Sequence, residues 1–147
     1  MPGPANRFQP GTGTLRRIVV PDPGPGLIWT YSPDPATRLS IISVFFRFST
    51  SAVVTVRNVG IESGNPTVFF WRMPNVISQG AGITRYWTWG PNIPNLSPIA
   101  AQAFQSQALP APTILRPDEF IRTRLDGGDG GDVFTDILIT GEEWIEP

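Results

Sequence analysis

From Thr14 onward, proline, glycine and aspartate cut this chain into short runs rich in β-branched and aromatic residues, and that punctuation limits the fold more than any other feature. Proline fixes φ and brings no backbone donor, so Pro21-Asp22-Pro23-Gly24-Pro25-Gly26 and Ser32-Pro33-Asp34-Pro35 cannot continue a strand ladder or a helix. Between such breaks lie nine candidate strands: 14–20, 27–31, 38–50, 52–61, 66–72, 82–89, 113–115, 119–126 and 132–140. Asp126-Gly127-Gly128-Asp129-Gly130-Gly131-Asp132 joins the last two as a hairpin loop able to take positive φ. Helical propensity is confined to 99–105, inside a long connector spanning 90–112. The pattern predicts an all-β protein: an antiparallel β-sandwich of jelly-roll type with eight to nine strands.

Residues 1–13 contain three prolines and three glycines without periodicity and read as an extended arm, leaving 14–147 as the sandwich domain. With 40% hydrophobic residues, nine Phe and five Trp, the chain has the material for a packed core. The N-terminus has no apolar segment of the secretory kind, and no run nears the ~18 apolar residues of a membrane helix, so synthesis in the cytoplasm without a membrane partner is expected.

All eleven basic residues are arginines, and lysine, histidine and cysteine are absent. The usual general base, thiol nucleophile and Schiff-base former are therefore missing. No Ser-His or Ser-Lys arrangement can exist, and the neighbouring Glu142 and Glu143 point to opposite faces of a strand rather than towards each other. The expectation is a protein that is not an enzyme and needs no cofactor. Gly127 to Thr135 fits one copy of a calcium-binding nonapeptide, so a cation held by Asp126, Asp129 or Asp132 stands beside a plain hairpin turn as a reading of that loop.

Charged residues make up only 16% of the chain, which suits a surface that becomes covered. Residues 1–100 hold eight arginines and three acids, whereas 101–147 hold three arginines and nine acids. The two sets either form complementary patches on different faces or neutralise one another through cross-strand pairs. In 38–50, one parity gives Ile42, Val44, Phe46 and Phe48, while the other, with Leu39, Ile41 and Phe45, is still half apolar. A strand apolar on both sides is either covered outside by another copy or by the connector, or buried between layers. Phe45, Trp71, Trp87 and Trp89 are the candidate contact positions; strand tryptophans also serve as core or as a platform for sugars. The arginines are scattered singly, which argues against a nucleic-acid groove.

Several segments together resemble small β-sandwich virion proteins of tailed bacteriophages and prophages. They are Trp29 to Pro35, Arg38-Leu39-Ser40-Ile41-Ile42-Ser43 running to Thr50-Ser51-Ala52-Val53-Val54, Arg57, Leu109-Pro110, Phe120-Ile121-Arg122-Thr123, the Gly/Asp turn and Glu142-Glu143-Trp144. The resemblance implies a jelly-roll structural subunit of the virion. Its expected role is a capsid decoration or cement protein bridging major capsid proteins, as a homo-oligomer with a trimer as one expected form. A carbohydrate-binding module of a tail or fibre, a head-tail junction protein and a calcium-dependent adhesive domain are the alternatives.

Overall fold

In the computed structural model, which describes residues 11–93 and 103–146 with only the backbone over 74–77, the two longest strands pair along nearly their whole length. These are β3 (Thr37–Ser49) and β10 (Val133–Ile145). They form the middle of a sheet whose remaining members are β1 (Thr14–Val20), β6 (Thr84–Gly90) and β7 (Phe104–Ala108), in the order β1-β10-β3-β6-β7. The short β8 (Ile114–Leu115) pairs with the start of β3. A second sheet has the order β2-β9-β4-β5, built from β2 (Thr30–Tyr31), β9 (Phe120–Asp126), β4 (Arg57–Gly64) and β5 (Phe69–Gln79). No helix occurs among the described residues.

The sheets face each other across one apolar core. Phe46 and Phe48 of β3 pack on Phe134 of β10 with ring centroids 5.5 and 4.4 Å apart, and Trp29 meets Phe46 edge-on at 5.9 Å. Val59, Ile61 and Ile121 close the core from the other sheet. Burying each such aromatic contributes roughly 1.5–3 kcal/mol, so this layer is the main favourable term holding the sheets together. Trp87 and Trp89 also point into it, fully buried and stacked on each other at 5.9 Å. They are therefore core residues and not contact positions on the surface, because their strand turns the Thr84, Tyr86 and Thr88 face outwards.

A bulge explains the strand that looked apolar on both sides. Thr140 lies opposite Ser43 while Gly141 lies opposite Ile41, so Ile42 is an extra residue in β3. Leu39 and Ile41 face the core before it, and Val44, Phe46 and Phe48 after it. Ile42 is left outside, 48% exposed, instead of joining the core row. Alternation changes phase at one position, and two half-faces add up to the same core.

Other elements also depart from the sequence pattern. Residues 52–56 form a loop and β4 begins at Arg57. Asn65 turns the chain by accepting hydrogen bonds from the Thr67 and Val68 amides, which delays β5 to Phe69. Phe104 and Gln105, expected to be helical, belong to β7, which pairs parallel to β6 and makes this sheet mixed rather than wholly antiparallel. Residues 99–102 of that expected helix lie outside the described residues, as do 1–10 of the expected arm. Gly11 to Gly13 lie against β10, the amides of Gly11 and Gly13 donating to Glu142 at 3.0 and 2.6 Å. The Trp144 indole donates to Thr12.

Candidate functional site

The Gly/Asp loop between β9 and β10 closes on an arginine. Asp132 accepts from Arg57 Nε at 3.0 Å and Nη2 at 3.1 Å, and both side chains are fully buried. The remaining guanidinium donors go to the Val53 and Thr55 carbonyls and to Ser51 Oγ, so all five are used. Ser51 donates in turn to Asp129 at 2.8 Å. Burial alone raises the Asp132 pKa, but hydrogen bonds from Arg57 and from the Ser51 and Asp129 amides outweigh it and hold the carboxyl below its usual range. Asp129 is lowered mainly by the Gly131 amide and the Ser51 hydroxyl.

Each aspartate of the cation reading has a partner within the protein. Asp132 is neutralised by Arg57, Asp129 turns to Ser51, and the exposed Asp126 lies 3.3 Å from Arg124. Asp129 and Asp132 meet at Ser51, and no cluster of three potential ligands exists among the described residues. The network instead fastens one end of the sandwich. Gly26 of the β1–β2 loop donates to the Asp132 carbonyl, and Gly82 of the β5–β6 loop donates to Ser51. Four loops are thus tied together, and they hold Leu27, Val53, Val54 and Val56 exposed at their tips.

The charge asymmetry is spent in the same way. Arg16 pairs with Glu143 at 2.9 Å, Arg38 with Glu146, and Arg47 with Asp136 at 3.4 Å. N-terminal arginines meet C-terminal acids because β10 lies between β1 and β3. The cross-strand reading holds for these three pairs.

Among the described residues, no element lies over the outer face of the larger sheet. Val19 lies opposite Leu138, and Leu138 opposite Phe45. Phe45 stacks on Tyr86 at 6.2 Å, and Tyr86 on its register partner Phe104 at 5.0 Å. These five residues form an apolar band across the strands β1, β10, β3, β6 and β7. Its ends are open, Val19 being 77% and Phe104 66% exposed. Ser43, Thr88, Ser106 and Thr140 alternate onto the same face and surround the band with hydroxyls, alongside Arg17 and Arg47.

No protein-family model, curated protein or solved structure matches this chain.

The band's geometry separates two uses of aromatic residues. Near-parallel rings 5.0 Å apart overlap face on face, and Tyr86 is stacked by Phe104 on one side and Phe45 on the other. Sugar stacking needs free ring faces, whereas docking of a protein needs only a continuous apolar surface. Of the residues singled out from the sequence, Phe45 lies in the band, Trp71 is half-buried against the core from the other sheet, and Trp87 and Trp89 are internal. Sequence reasoning passed over Val19, Leu138 and Phe104. Thr84, Tyr86 and Thr88 shared one face of their run in the sequence without being marked as the outward one, and Phe104 lies in a run whose inward residues are Gln105 and Gln107, with no apolar period to reveal a strand.

Proposed function

We propose that this chain is a non-enzymatic structural subunit of jelly-roll type, serving as a capsid decoration or cement protein of a bacteriophage virion. The observation that carries the reading is the apolar band from Val19 to Phe104, open at both ends among the described residues, on a sheet face where Arg47 is paired with Asp136. Such a surface gains free energy by being buried, which supports a use by contact. The jelly-roll assignment is supported by strand order. With β7 and β8 set aside, β1-β10-β3-β6 face β2-β9-β4-β5, and successive strands change sheet except at the β4–β5 hairpin. The sequence resemblance supplies the setting: major capsid protein as partner, self-association of the subunit, and the virion as location.

In this role the band lies across a boundary between capsid subunits and adds interface area that resists particle expansion. The test is co-sedimentation of the purified chain with phage particles stripped of their decoration, together with analytical ultracentrifugation of the chain alone. Binding to particles that is lost in Leu138→Asp supports the reading. A chain that stays monomeric and never sediments with particles overturns it.

A further inference from the structure

The outer face of the smaller sheet carries a second arrangement, independent of the apolar band. Glu62 of β4 lies in register with Arg72 of β5 on one side and with Arg122 of β9 on the other. Its carboxylate is buried and receives Arg122 Nε at 2.6 Å, while Arg72 Nε lies 3.1 Å from the other oxygen. Phe69 lies under both cations, its ring centroid 3.8 Å from Arg72 Cζ and 5.2 Å from Arg122 Cζ. Phe120 lies 4.7 Å from Arg122 Cζ and meets Phe69 edge-on at 6.1 Å.

Each guanidinium is therefore fixed by its Nε and by a ring face. Among the described residues the Nη groups of both have no protein acceptor, and the side chains remain 45% and 30% exposed. One buried carboxylate between two arginines leaves a net positive charge at the surface. An Arg held in this way loses little conformational freedom on binding, and its Nη edge matches a planar carboxylate through two parallel hydrogen bonds. Exposed Phe69 and Phe70 stand beside the pair and provide apolar surface next to the charge.

We propose that Arg72 and Arg122 form a receptor for a carboxylate of a partner protein, presented next to an apolar or aromatic side chain. A nucleic-acid backbone fits less well. It calls for a line of cations, and the next arginine on this face, Arg124, is paired with Asp126. The aromatic support under both guanidinium planes is the composition of an interface anchor, where Arg and aromatic residues are enriched.

The test is a titration of the intact protein followed by the arginine Nε–Hε NMR signals, of which the chain has only eleven and no lysine to interfere. The probes are acetyl-Trp-Glu-Phe-amide, its Gln counterpart, inorganic phosphate and a 20-nucleotide single-stranded DNA. Saturable shifts at Arg72 and Arg122 with the Glu peptide, weaker by about tenfold or more with Gln, support the proposal. So does their loss in Arg72→Gln, a substitution on an exposed edge strand that leaves the core untouched, with Arg124→Gln as the unaffected control. Equal response to Glu and Gln peptides, no response to either, or tighter binding of phosphate or DNA than of the Glu peptide each overturns it. Because the readout is confined to this face, it stands or falls separately from particle binding through the apolar band.

Discussion

Arg57 and Asp132 meet through two hydrogen bonds of 3.0 and 3.1 Å, inside the protein, across 75 residues of sequence. A buried ion pair is a poor source of net stability but a strong constraint, because either partner left alone is a desolvated charge. Here the constraint acts on four loops at once, since the guanidinium also holds two carbonyls of the β3–β4 loop and the aspartate holds the turn before β10.

Replacing Arg57 by leucine removes the cation and leaves Asp132 unpaired, so a loss of about 3–5 kcal/mol is expected. Urea unfolding at neutral pH measures it. Loss below about 1 kcal/mol is the range of exposed ion pairs and contradicts a buried role.

Acid should weaken the fold through the same loop. Asp132 and Asp129 have folded-state pKa values below those of the unfolded chain. Their contribution is complete above the ordinary aspartate value of about 3.9 and is lost as pH falls through the folded values. Without histidine, no side chain has its ordinary pKa between pH 5 and 8, so urea midpoints should be level there and fall below about pH 4. Asp132→Asn is expected to flatten the acid limb while lowering the plateau.

The two aromatic sets should respond in opposite ways to truncation. Trp87→Ala empties part of the core and is expected to cost about 3–5 kcal/mol. Phe104→Ala, at the open end of the band, should change stability by no more than about 0.5 kcal/mol and yet weaken particle binding. Thermal unfolding and co-sedimentation read the two effects separately.

Gly141 faces the β3 bulge so closely that a Cβ there would lie 2.7 Å from both Leu39 Cδ1 and the Ser40 carbonyl oxygen. Gly141→Ala forces backbone or core to shift, at a cost of about 1–3 kcal/mol by denaturant unfolding. Wild-type stability in this variant would show that the bulge is not closely packed.

Tryptophan emission gives a further check. Trp29, Trp87 and Trp89 are fully buried, Trp144 nearly so, and Trp71 is the one partly open. Acrylamide quenching should fall most in Trp71→Phe, whereas Trp87→Phe should leave the quenchable fraction unchanged.

Much of the fold is local in origin and therefore visible in one dimension. The three prolines of 21–25 and the two of 33–35 keep those segments out of the strands, and the Gly/Asp run at 126–132 turns the chain. The parity of β6 was readable, with Arg85, Trp87 and Trp89 on one face, but only burial showed that this face is inward, Arg85 donating to the Ser78 carbonyl. The bulge at Ile42 was not readable. An extra residue shifts the alternation without altering composition, and its position depends on which residues of β10 lie opposite. The strand β7 was equally hidden, since it is defined by pairing with β6 and not by its own propensity.

The candidate site divides along the same line. The chain's inventory alone closed catalysis by histidine, cysteine or lysine side chains and left arginine and aromatic residues as the candidates for surface contacts. Only the tertiary structure decided which aromatics those were. Burial sent Trp87 and Trp89 into the core, and strand order aligned Val19, Leu138, Phe45, Tyr86 and Phe104 from five separate segments. The reason is that propensity and turn chemistry act over a few residues, whereas a face exists only after distant strands have chosen partners and register.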